Sequence, residues 1–313
     1  MPIDPKLKQD LQRKAVQVRK LILQAVQKAG AGHVGGPMSM VEIALAMYFK
    51  ILRIDPKNPN WPDRDRYVLS KGHSCIALYT VLALRGFFPL EEVFTYDAID
   101  SRLQGHPDMT KTPGIDMSSG SLGTGASPPL GMALAAKRLG KNFHTWAHLG
   151  DGEIQEGQVW EMAFIASQYR VDNLTAIVDY NKVQQFGFPK DGDIRRRINP
   201  LVQVPEKWRA FGWHVIECDG HDFDSLIPAC EEAKTIKGRP TCIIAHTIKG
   251  KGVGWMELNS RWHTHAPAPA ETDRALREIS SRYGRTEKGY SKLDTGDDTM
   301  SAKNDATIRD NPS

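Results

Sequence analysis

Cysteine is scarce in this chain: four in 313 residues, at Cys75, Cys218, Cys230 and Cys242. None forms a CxxC pair, and a disulfide framework is unusual at this size, so reduced thiols in a cytoplasmic protein are expected. Long apolar runs are missing as well. No window approaches ~18 consecutive apolar residues, so no membrane span is expected. The N-terminus, MPIDPKLKQDLQRK, is charged from its start and has no apolar signal core. Nor is there a basic block. The net charge of +4 is spread along the chain, whereas nucleic acid calls for a concentrated basic face, so nucleic acid is not expected as a partner. Internal repeats are absent.

What is present is an ordinary globular composition, 40% hydrophobic and 25% charged, long enough for a large core. Apolar residues recur at i, i+3, i+4 from Pro5 to Ala29 and predict one long helix closed by Gly30. A second helix is expected through SMVEIALAMYFKIL with Ser39 as its N-cap, and a buried one through HSCIALYTVLALRG. RYVLS, FHTWAHLG, LTAIVDY, WHVIECD and TCIIAHT read as strands, most of them alternating with the helical stretches LGMALAAKRLG, GQVWEMAFIASQY, VPEKWRAFG and SLIPACEEAKT. Such alternation predicts a three-layer αβα fold with a doubly wound, mainly parallel sheet. The domain is expected over residues 1–279. A polar, mobile tail is expected over 280–313, where large apolar residues nearly vanish.

Two features stand apart from this regular pattern. Residues 101–129 are dense in Gly, Pro and Ser, too long for an idle connection, and form a candidate binding loop. Pro128 and Pro129 suit the first turn of the helix that follows. The second feature is Gly150-Asp151-Gly152, directly after an apolar strand. Ligands in doubly wound sheets bind at the carboxyl ends of strands. Glycine there suits phosphate, yet Asp151 would repel it unless a cation stood between. Asn181 ends the next strand, 30 residues on. A carboxylate and an amide oxygen, completed by phosphate and water, suit Mg²⁺. Gly152 then brings backbone N–H groups to a diphosphate, helped by the N-terminus of the following helix.

GDG followed after about thirty residues by a strand-ending Asn resembles the thiamin diphosphate motif. GAGHVGGPMSMVEIALAMYF, RDRYVLSKGHSCIALY, GHPD, GSLGTG, GDGEIQEGQVWE, DYNKVQ, TIKGKG and WHTHAP, in this order, resemble the transketolase family, specifically the N-terminal half of split transketolases. The resemblance implies that Asp151, Asn181 and the Val183 carbonyl hold the metal, and that Gly152 meets the diphosphate. Gly120, Ser121 and Leu122 would pack along the cofactor. His33, His73, His106 and His263 would line cofactor and sugar, with His73 and His263 touching the cofactor. Imidazole suits proton transfer near neutrality. His263 and His265 are close enough to exchange roles. His144, His148, His214, His221 and His246 are read as structural. Glu156 and Glu161 match acidic residues between two active sites. Lys249 and Lys251 match a loop over the cofactor.

The implied reaction moves a two-carbon ketol unit from a ketose, or ketose phosphate, to an aldose. In the family a second, pyrimidine-binding domain supplies the activating glutamate and the grip on the sugar phosphate. The resemblance therefore implies a separate C-terminal-half subunit in a two-plus-two assembly. Two departures stand out: Pro128-Pro129 in place of helix formers, and Phe186 where a small acidic residue is common. An alpha subunit of a 2-oxoacid dehydrogenase shares GDG and Asn. A non-catalytic regulatory subunit is the alternative from another class.

Overall fold

The computed structural model describes residues 3–184 and 202–283. Helix α1 runs Pro5–Ala29. The Asp4 side chain accepts from the Lys6 N–H, Pro5 occupies the first turn, and Gly30 closes the helix at φ 69°. Its inner face buries Leu11, Ala15, Val18, Ile22 and Val26.

The expected second helix is instead broken in two. α2 spans Gly35–Ser39 and α3 spans Val41–Ala46, with a π-helical turn over Met47–Ile51. Ser39 is not an N-cap. It ends α2, fully buried, and its hydroxyl donates to the Asp179 carboxylate at 2.5 Å. A tertiary hydrogen bond to a residue 140 positions away outweighs the local capping preference.

Five strands form one sheet: β1 Arg66–Leu69, β2 Thr145–Gly150, β3 Leu174–Tyr180, β4 His214–Asp219 and β5 Thr241–His246. Their order is β1-β2-β3-β5-β4, and every pairing is parallel. The remaining helices are α4 Cys75–Arg85, α5 Ser127–Arg138, α6 Gly157–Gln168, α7 Val204–Ala210, α8 Phe223–Thr235 and α9 Pro269–Tyr283. Pro128 and Pro129 do sit in the first turn of α5.

Strand side chains alternate between two cores. Ile177, Ile243 and Ala245 pack with α1, α3, α4, α8 and α9. Ala176, Val178, Cys242 and Ile244 pack with α5, α6 and α7. Both faces are covered, which explains why these strands read as near-continuous apolar runs. The chain steps β1, β2, β3, then to the far edge at β4, and returns to β5. That reversal carries α8 to the opposite face from α6 and α7, as right-handed crossovers require. α9 begins where no helix was anticipated. Ala275, Ile279 and Tyr283 are buried, so ordered packing continues past the compositional change at Ser280. The tail expected beyond it lies outside the described residues.

Candidate active site

Parallel strands place their carboxyl ends on one edge of the sheet, and a cavity of about 310 Å³ opens there. β1 delivers Lys71 and His73, β2 delivers Asp151 and Gly152, and β3 leads into Asn181 and Val183. Beyond β5, the loop that follows brings Lys249 and the turn Ser260–His263 brings His263. His33 enters from the link between α1 and α2. Gly120 and Leu122 line the cavity from the long Gly-rich loop, where a binding loop was expected. Ser121 is exposed and is not among the lining residues.

The acidic corner is built from hard oxygens. Asp151 is buried and its carboxylate accepts from the Lys182 N–H at 2.5 Å. Asn181 Oδ1 accepts from the Val183 N–H at 3.1 Å. Lys182 takes φ 63° to make this turn. Burial, then the neighbouring Asp179 charge, push the Asp151 carboxyl up to about 6. Near neutral pH it is thus a buried anion short of positive charge. The Val183 carbonyl already accepts from a cation, the Lys249 ammonium, at 2.7 Å. One carboxylate, one amide oxygen and one carbonyl suit a hard divalent ion with further oxygens from its ligand. The helix after Gly152 starts later than expected. A 3₁₀ turn over Glu153–Gln155 intervenes, and α6 begins at Gly157 with Glu156 at its N-cap. The α6 dipole is therefore displaced from Gly152.

Across the cavity stand the imidazoles. The His33 ring lies 4.9 Å from His73 and 5.3 Å from His263, centroid to centroid, and His73 lies 5.3 Å from His263. His106 is exposed at 6.4 Å from His33, one step outward. His265 turns away, packing on Trp262 with Nε2 3.7 Å from Glu271. Burial, with His106 and Lys249 nearby, lowers His33 to about 4. Burial and Lys249 lower His263 to about 3. His73 is held well below the usual imidazole range, chiefly by burial. All three are neutral at pH 7, so each can accept a proton or donate one through its ring N–H.

Sequence reasoning missed the residues beneath this cluster. Lys71 pairs with Asp179, and both are buried. Burial would raise the Asp179 carboxyl, but Lys71 and its other partners hold it down to about 2. Glu153 accepts from Ser70 Oγ at 2.6 Å and from the Gly123 and Gly150 N–H groups at 3.0 and 3.1 Å, tying three site loops together. Gly36 has no room for a side chain: a Cβ there would lie 2.8 Å from Ser74 Oγ and 3.5 Å from His73 Nε2. Gln155 and Gln184 hydrogen-bond to each other in the lining. Only Lys71 had a nearby signal, as a basic residue directly before the Gly-His of SKGHS. Phe186 lies outside the described residues.

Residues 11–291 match the family model of the transketolase thiamine diphosphate binding domain. The chain belongs to the transketolase family. It is 48% identical over 79% of its length to one half of the 6-deoxy-6-sulfo-D-fructose transketolase of Clostridium sp. (strain MSTE9), a separate subunit of which it covers 88%. It is 38% identical over 86% of its length to the corresponding subunit of the apulose-4-phosphate transketolase from Phocaeicola vulgatus, covering 94% of it. Among solved structures, transketolase from Leishmania mexicana superposes with TM-score 0.80 at 27% identity over 89% of this chain. Transketolase from Campylobacter jejuni gives 0.79 at 29% over 90%. The chain spans 42% and 43% of those two proteins. Its extent thus corresponds to a transketolase subunit, the N-terminal, thiamin diphosphate-binding part of such enzymes.

Proposed function

We propose that this chain is the cofactor-holding half of a two-subunit transketolase, transferring a two-carbon ketol unit from a ketose to an aldose. The observation that carries this reading is the single cleft in which buried, uncompensated Asp151 faces the neutral trio His33, His73 and His263. Asp151, Asn181 and the Val183 carbonyl would hold Mg²⁺. Gly152, Gly120, Ser121, Leu122, Asn181, His73 and His263 would contact thiamin diphosphate. When bound, that cofactor supplies the nucleophilic carbon and electron sink that let the bond beside a ketose carbonyl break. The protein's own part is binding, orientation and proton movement. His33 and His263, neutral at pH 7, can take the proton of a sugar hydroxyl at a ring nitrogen and return it. His106, at the mouth, is placed to hold a further hydroxyl. His73 sits between them.

Several features support a partner. Leu122 and Glu156 line the cavity yet are exposed at its open side, and Glu161 is exposed on α6 beside Phe164 and Ile165. These surfaces suit a two-plus-two assembly in which the partner covers the cleft and supplies the missing glutamate. Among the described residues the lining holds no arginine, so recognition of an anionic sugar terminus falls to the partner. By likeness to the Clostridium protein, the donor we favour is 6-deoxy-6-sulfo-D-fructose, with phosphorylated ketoses as competitors. Four buried, unbridged cysteines support a reducing, cytoplasmic setting, and among the described residues no helix is long and apolar enough to cross a membrane.

The test is reconstitution. The purified chain with thiamin diphosphate and Mg²⁺ should give no ketose–aldose transfer. Adding a C-terminal-half transketolase subunit should restore it, fastest with the sulfonated ketose. Turnover by the chain alone would overturn the two-subunit reading.

A further inference from the structure

Outside the cleft, a buried charged network reaches the loop that carries Lys249. Arg19, on α1, is 1% exposed, and its Nη1 and Nη2 each donate to one oxygen of Glu42 at 2.7 Å. Glu42, on α3, is 4% exposed and also accepts from His221 Nδ1 at 2.9 Å. His221, between β4 and α8, accepts the Ile248 N–H at its Nε2, 2.8 Å away. An amide N–H needs a bare nitrogen, so the ring proton lies on Nδ1 and goes to Glu42. At the other end of the same short segment, Arg19 Nε donates to the Lys251 carbonyl at 2.9 Å.

The segment Ile248–Lys251 is thus held at both ends by one network. Between the ends, the Gly250 N–H donates to the Gly35 carbonyl at 3.0 Å. Packing leaves little slack: Gly252, at φ 105°, sits where a Cβ would lie 2.8 Å from Arg19 Cδ. Lys249, in the middle, reaches both Val183 and His263. Neither Arg19, Glu42 nor His221 lines the cavity. A buried ion pair of this kind adds little net stability compared with apolar packing of the same shape. What it supplies is direction, because every donor and acceptor has one partner and one angle.

We propose that Arg19, Glu42 and His221 are positioning residues. They act through the main chain of Ile248–Lys251 to hold Lys249, and through it His263, at the cleft. This rests on the reading of the cleft as the cofactor site, but the order of the loop can be measured without any cofactor.

The experiment is amide hydrogen exchange on the full chain, comparing wild type with His221→Leu and His221→Gln. Leucine leaves the Ile248 N–H without an acceptor. Glutamine can place its Oε1 where Nε2 stood. In His221→Leu, protection of the 248–251 amides should fall about tenfold, the loss of roughly one buried hydrogen bond, while the strands keep wild-type protection. His221→Gln should recover most of it. In the reconstituted enzyme, the leucine variant should need about tenfold more thiamin diphosphate for half-maximal rate, with kcat at saturation near the wild-type value. Unchanged exchange at 248–251 in a folded variant overturns the proposal. So does exchange that rises equally through the whole chain, since that marks a merely structural role. If His221→Leu does not fold, His221→Asn, which keeps only the donor side, gives the same readout.

Discussion

The Lys249 ammonium lies 2.7 Å from the Val183 carbonyl oxygen and 2.8 Å from Nδ1 of His263. One side chain therefore spans the oxygen-rich corner and the imidazole cluster. Nδ1 facing an ammonium must be bare, which leaves the ring proton of His263 on Nε2. A second positive charge on that ring would sit against the first. This is why Lys249 ranks next after burial among the causes that lower His263.

Lys249→Met keeps the aliphatic stem and removes the charge. The His263 ring should then titrate at higher pH, by about one unit, because one of the two leading causes of its depression is gone. Ring-proton NMR of the variant reads this directly. A His263 titration that does not move would mean that burial alone sets it.

Asp151 makes a prediction about the metal. Its folded pKa, about 6, lies above the ordinary carboxylate value, so the stability it contributes is present at low pH and lost as pH rises through that value. At pH 7.5 the fold bears this cost in full, and a divalent cation relieves it. Millimolar Mg²⁺ should raise the wild-type Tm by about 2–4 °C, equivalent to roughly 1 kcal/mol. Asp151→Asn should be at least as stable without the ion and should lose the Mg²⁺ response. An equal Mg²⁺ response in the variant would place the ion elsewhere.

The five strands were legible because burial on both faces writes long apolar runs, and the cavity followed from Gly150-Asp151-Gly152 closing one of them. What escaped reading depends on contacts between distant segments. Ser39 looks like an N-cap locally, and only the fold reveals Asp179 beside it. Lys71 and Glu153 carry no local mark of burial, since charged side chains enter a core only where the tertiary structure pairs them. α9 buries Ala275 and Ile279 on a helical spacing, but its small and polar residues dilute the pattern. His221 sits in a GHD stretch that gives no hint of Glu42, 179 positions earlier.

Acid stability is the next expectation. His144 and His148 are buried, and burial is the first cause lowering each to about 3. In the unfolded chain they take up protons near pH 6.5, while the folded chain leaves them neutral until about 3. Their contribution is therefore fully present above pH 6.5 and is lost as pH falls. His33, His73 and His263 act in the same direction, and Asp151 acts in the opposite one. Below the unfolded pKa each histidine contributes a slope approaching 1.4 kcal/mol per pH unit, roughly one proton. Urea unfolding between pH 7 and 5 should show stability falling with pH, and His148→Gln should flatten that fall by about one proton. A level profile would refute the neutral, buried assignment.

The buried pair beneath the site gives the sharpest contrast. Lys71 and Asp179 form a salt bridge, and Asp179 also accepts from Ser39 and Thr247. Removing one partner strands the other charge without water. Lys71→Met leaves the Asp179 carboxylate with only neutral hydroxyl donors, and should cost about 3–5 kcal/mol in chemical denaturation. The double variant Lys71→Met with Asp179→Asn removes both charges and keeps an oxygen for the hydroxyls, so it should recover a large part of that loss. If the two substitutions instead add as independent sites do, the charges are not coupled and the pair does not anchor β3 under the cleft. Recovery of stability without recovery of activity is the expected joint outcome, because Lys71 also lines the cavity. Its stem lies against Gly150, where a Cβ would sit 3.3 Å from Lys71 Cδ, so methionine keeps the packing there and loses only the cation.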